Sequence, residues 1–119
     1  MISPQAQQIH DRSLIWDTHA CFPLNPNSDL TDLKRYRDSG VNFVSINIGM
    51  DMDSFENVMQ VLARFRNYIT SHPDRYLLAL SVSDILTAKE SGKLAIAFDL
   101  EGSDPLLGNI NLVSFYYDL

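Results

Sequence analysis

Apolar residues recur along this chain at two alternating spacings. Leu30, Leu33 and Tyr36 fall three apart, and Phe55, Val58, Met59, Leu62, Phe65 and Ile69 follow at mostly three and four. That is the period of a helix with one buried face. Between these stripes, VNFVSINI (41–48) is rich in β-branched residues, and LAIAFDL (94–100) is almost wholly apolar. Such runs suit strands, the second of them buried on both faces.

The pattern predicts helices over Pro4–Arg12, Asp29–Ser39 and Ser83–Ser91, and a longest helix that starts at Ser54 and stops at His72-Pro73. It predicts strands over Ser13–His19, Val41–Ile48, Tyr76–Leu80 and Leu94–Leu100. Gly40 and Gly92 sit where helix C-terminal caps belong, and Phe22–Ser28, with Pro23, Pro26 and Asn27, reads as a loop. Strand and helix in alternation imply an α/β fold around a parallel sheet. A last stripe, Leu112, Phe115, Tyr116 and Leu119, runs on with no stop signal after it. The chain therefore reads as one domain segment, residues 1–119, forming the N-terminal portion of a (β/α)8 barrel, a fold of about 250 residues.

Composition narrows the function. The net charge is −6, which argues against nucleic acid, whose phosphates select basic faces. No apolar run is long enough to cross a membrane, and MISPQAQQIHDR lacks the basic-then-apolar order of a signal peptide, so the expected location is the cytoplasm. The single cysteine excludes an internal disulfide.

Two strand ends carry chemistry. WDTHACFPL (16–24) places Asp17, His19 and Cys21 at every second position, so strict alternation points all three to one face. LAIAFDL ends in Asp99-Leu100-Glu101-Gly102, with Asp99 and Glu101 on a shared face. In parallel α/β folds the carboxyl ends of strands face the active site. Zinc accepts carboxylate, imidazole and thiolate. Each residue also has a structural reading: a satisfied histidine, a turn-forming Asp, a small buried Cys, a Glu-Gly loop. His10 reads as solvated, His72 as stabilised by the end of a helix, and Asp51-Met52-Asp53 as a turn.

The stretch SVSDILTAKESGKLAIAFDLEGSDPLLGNINLVSFYYDL resembles the membrane (renal) dipeptidase family of zinc peptidases. The likeness lies in a helix entered with an acid, an "sGK" turn, an apolar strand ending in Glu-Gly, and a following helix. Asp17-Thr18-His19-Ala20-Cys21-Phe22-Pro23 is similar to that family's D-G-H-N-D-x-P. The resemblance implies that Glu101 is the catalytic carboxylate bridging two zinc ions and that His19 is a zinc ligand. Cys21 stands where the family has an Asp ligand. Asp17 is then a supporting partner for His19. It implies a dipeptide as substrate, with further histidine ligands and a substrate-binding arginine on later strands. On this reading the segment alone is inactive and prone to self-association. The alternative is a divergent barrel relative without peptidase activity, marked by Cys21.

Overall fold

The computed structural model describes residues 2–119. Ser3 caps the first helix, α1 (Pro4–Arg12), through its side chain, with Pro4 in the first turn where no N–H is needed. The chain then enters β1 (Trp16–Ala20) and, after a loop, α2 (Leu33–Asp38). Helix α2 is shorter at its start than the sequence predicts. Asp29 accepts hydrogen bonds from the Thr31 N–H and hydroxyl, and this local turn holds the chain out of the helix. Gly40, at φ 84°, ends α2, while Val41 N–H reaches back to the Tyr36 carbonyl.

Strand β2 (Phe43–Met50) leads to α3 (Phe55–Thr70), which is capped by Ser54. Strand β3 (Tyr76–Leu78), α4 (Val82–Glu90), β4 (Leu94–Glu101), a 3₁₀ turn (Asp104–Leu106) and α5 (Asn111–Tyr117) complete the chain. The fold is the α/β class that the sequence predicts. All strand pairs are parallel, and β2 lies between β1 and β4.

The strand order is β1-β2-β4-β3, so β3 lies outside β4 rather than between β2 and β4. This decides where the helices go. Parallel crossovers are right-handed, so forward steps across a sheet put their helices on one face and a backward step puts its helix on the other. Helices α2 and α3 follow forward steps and bury Leu33, Val58, Val61 and Phe65 against Val44, Ile46 and Ile96. Helix α4 returns backward and packs Ile85 and Ala88 on Phe43 and Ala95, the opposite face. Simple barrel winding, with every helix on one side, is broken at α4.

The face that α4 covers is filled only at the amino end of the strands. Toward the carboxyl end the same face carries Ser45 and Asn47 from β2 and, in register with them, Asp99 from β4. Strand β3 pairs with β4 only over Leu94–Ile96, so beyond Ile96 that side of β4 has no strand partner among the described residues.

Candidate metal centre

Two irregularities in the sheet build the site. In β1, Asp17 pairs with Val44 and Ala20 with Ile46, so one extra residue is inserted against β2. In β2, Asn47 pairs with Asp99 and Met50 with Glu101, again one residue extra. Such bulges turn a side chain to the other face, and they collect beside active sites. Here the β1 bulge corrects the expectation that Asp17, His19 and Cys21 share a face. Asp17 stays with Val44 on the face packed by α2 and α3. His19 turns to the face of Asp99.

The His19 ring bridges two carboxylates. Its Nδ1 lies 2.9 Å from Asp99 Oδ1, and its Nε2 lies 3.4 Å from Glu101 Oε2. Cys21 Sγ lies 3.4 Å from the same Nε2. Asp17 meets His19 only through the main chain, accepting from the His19 N–H at 3.2 Å. The carboxylate on the ring is Asp99, and this places the support expected of Asp17 on another strand.

Strand β2 fixes both acids. Ser45 Oγ donates to Asp99 Oδ2 at 2.6 Å, and Asn47 Nδ2 donates to Glu101 Oε2 at 3.1 Å. Asn47 is itself held, because its Oδ1 accepts from the Gly49 N–H at 2.7 Å within the bulge. Ser45 and Asn47 were not singled out from the sequence, yet a signal exists. They are the polar residues at alternate positions of a strand buried along nearly its whole length.

Hydrogen bonding to Asp99, then the charge of Asp99, raises the His19 pKa above its ordinary 6.5, with Glu101 adding to the effect. The arrangement favours positive charge at the ring, and a metal cation at Nε2 would answer the same field.

One ligand atom each from His19, Cys21 and Glu101 lies within 4.8 Å of the others. Ligands about 2.0–2.3 Å from a tetrahedral zinc stand about 3.3–3.8 Å from one another. The two 3.4 Å separations at Nε2 therefore fit a single ion. The donor set of imidazole, thiolate and carboxylate is chemically suited to zinc, and all three residues are exposed, leaving the site open.

The other residues singled out from the sequence lie elsewhere. His72 Nδ1 is 2.7 Å from the Tyr68 carbonyl in the last turn of α3, the helix-end role expected of it. The His10 ring lies against Gly40, so it is packed rather than simply solvated. Asp51 accepts from the Ser103 and Asp104 N–H groups, and Asp53 from Met50 N–H, which makes both of them turn formers. Among the described residues, no helix is long and apolar enough to cross a membrane.

No protein-family model matches the sequence, and no curated protein matches it. Among solved structures, the chain is similar to the crystal structure of an amidohydrolase from Pseudomonas aeruginosa, with TM-score 0.80 and 18% identity over 94% of this chain. The chain spans 33% of the length of that protein. At that identity the likeness is one of fold.

Proposed function

We propose that this chain is the amino-terminal segment of a metal-dependent hydrolase that cleaves dipeptides. The observation that carries the proposal is the meeting of His19 Nε2 and Glu101 Oε2 at 3.4 Å, at the carboxyl edge of a parallel sheet. That edge is where barrel hydrolases place their chemistry, and the likeness to the amidohydrolase fold supports the same geometry.

The roles follow from the contacts. His19 presents Nε2 to the ion while Asp99 holds the opposite nitrogen, which fixes the ring tautomer. Glu101 offers a carboxylate that Asn47 steadies from one side. His19, Cys21 and Glu101 would hold zinc there, and zinc so held would supply a water of lowered pKa as the nucleophile for a peptide carbonyl. The charge of Glu101, exposed at the rim, faces the solvent from which a substrate enters.

The segment reading rests on two observations. The chain spans a third of the amidohydrolase structure, and the site-bearing half of β4, from Ala97 to Glu101, keeps one side open to a further strand. The remaining ligands and the substrate-binding arginine belong to that further chain. Cys21 favours a second reading, a barrel relative without peptidase activity, because it stands where the dipeptidases carry a carboxylate.

The test uses the longest gene product that carries these residues. It is assayed on dipeptides of L residues and on dipeptides with a D residue at the carboxyl side, with zinc and after chelation. Zinc-dependent cleavage, lost in His19→Ala and Glu101→Gln, is the expected result. A zinc-loaded protein that cleaves none of these dipeptides, or cleavage that survives chelation, would overturn the reading.

A further inference from the structure

We infer that Cys21 binds metal as a thiolate beside His19 and Glu101, and that the centre therefore selects zinc or cobalt over magnesium, calcium and manganese. The inference rests on the metal-dependent reading above and deepens it at the same site.

The three ligand atoms lie close enough to share an ion. Cys21 Sγ and Glu101 Oε2 each stand 3.4 Å from the same atom, His19 Nε2. A cysteine at position 21 brings one sulfur where an aspartate would bring two oxygens. The neighbouring carboxylate, Asp99, is already engaged. Its Oδ1 is 2.9 Å from His19 Nδ1, and its Oδ2 accepts from Ser45. Asp99 therefore acts on the ring, and the pair forms a carboxylate–histidine support of the kind that orients zinc-binding imidazoles.

The same atoms set the selectivity. Magnesium, calcium and manganese prefer shells made of oxygen, and magnesium and calcium require six or more ligands. A set that contains one nitrogen, one sulfur and one oxygen matches the ligand preferences of zinc. Asp99 is a positioning residue in this scheme and touches no ion.

The test is a titration of the longest gene product that carries these residues, reduced and stripped of metal, with cobalt(II) alone. Tetrahedral cobalt absorbs in the visible, and a cobalt–thiolate bond adds an intense charge-transfer band in the near ultraviolet. The expected result is cobalt bound with both features, displaced by zinc and untouched by a large excess of magnesium or calcium. Cys21→Ser should lose the charge-transfer band. Asp99→Asn should keep the band while affinity falls about 10–100-fold. Far-ultraviolet circular dichroism checks that both variants keep the fold.

A wild-type spectrum without the thiolate band, displacement by magnesium, or no binding at all would overturn the inference. Cobalt bound without thiolate would leave the hydrolase reading standing. A thiolate-bound ion in a protein that cleaves no dipeptide would sink the hydrolase reading and keep this one.

Discussion

The Nδ1 of His19 lies 2.9 Å from Oδ1 of Asp99, a residue 80 positions further along the chain. The contact exists because β2 lies between their two strands and the β1 bulge turns His19 toward β4. Ser45, on the intervening strand, holds the other oxygen of Asp99. Ser45→Ala should therefore leave the fold intact and loosen the carboxylate. Loss of one such hydrogen bond is worth about 1 kcal/mol, a factor of about five in metal affinity. Competition titration with a chromophoric zinc chelator checks it, and an unchanged affinity would detach Ser45 from the site.

Gly49 forms part of the β2 bulge beside Asn47, and a Cβ there would stand 2.5 Å from Val58 Cγ2 of α3. Gly49→Ala should destabilise the chain by about 1–3 kcal/mol through overpacking. Combining it with Val58→Ala should cost less than the sum of the single changes, because the second change removes the methyl that clashes. Urea unfolding of the four variants of the cycle measures this. Strict additivity would mean that the strain lies elsewhere.

Gly102 follows Glu101 at φ 108°, a conformation that glycine adopts freely and other residues do not. A side chain there would also run into the Asp51 carboxylate, which accepts from Ser103 and Asp104 N–H. Gly102→Ala should lower the melting temperature and displace Glu101, weakening cobalt binding at least as much as Ser45→Ala. The measurement pairs thermal unfolding with the cobalt titration. Unchanged binding would show that the turn does not position Glu101.

At the start of α4, Asp84 accepts from the Ser81 hydroxyl at 2.8 Å and from Leu80 N–H at 3.0 Å, while Ser81 caps the Asp84 N–H. These bonds lower the Asp84 pKa below its ordinary 3.8, the Ser81 hydroxyl contributing most. A carboxylate whose folded pKa is depressed contributes stability that is present above its unfolded value and lost as pH falls through the folded one. Acidification from pH 4 downward should therefore remove this contribution, and Asp84→Asn should flatten that part of the melting temperature profile. A variant profile parallel to wild type below pH 4 would count against it.

Exposed apolar side chains collect near the open side of β4. Leu80, Val113 and Tyr117 are 71%, 47% and 82% exposed, and α5 buries none of its residues. A cavity of about 650 Å³, lined by Leu62, Leu78, Phe98, Leu100, Val113 and Tyr116, opens beside them. An edge strand next to such a surface promotes association. Sedimentation velocity of the 119-residue chain should show mass rising with concentration. A monomer at every concentration, with a sharp unfolding transition, would show that the chain stabilises itself.

Much of the fold was legible because it rests on local physics. The helix α1 (Pro4–Arg12), the Ser54 start of α3 and the glycines after α2 and α4 obey rules acting over a few residues. The apolar run Leu94–Leu100 declared a buried parallel strand, and β4 is parallel and buried over Leu94–Ile96, with Ala97–Leu100 only partly so. The acids at its end share a face because no bulge intervenes between Asp99 and Glu101 within β4. The sequence by itself thus determined the class of fold, the order of elements and the two strand ends at which His19, Asp99 and Glu101 stand.

The tertiary structure decided the rest. Strict alternation carried Asp17, His19 and Cys21 to one face, but a bulge depends on the partner strand, and β1 acquires its extra residue only against β2. The exchange of places between β3 and β4 follows from packing and handedness and leaves no mark in either strand's composition. The partnership of His19 with Asp99, in place of Asp17, is a consequence of both. Periodicity reports which face of its own element a residue occupies, whereas a site is built from faces of different elements, and only the folded sheet fixes their relation.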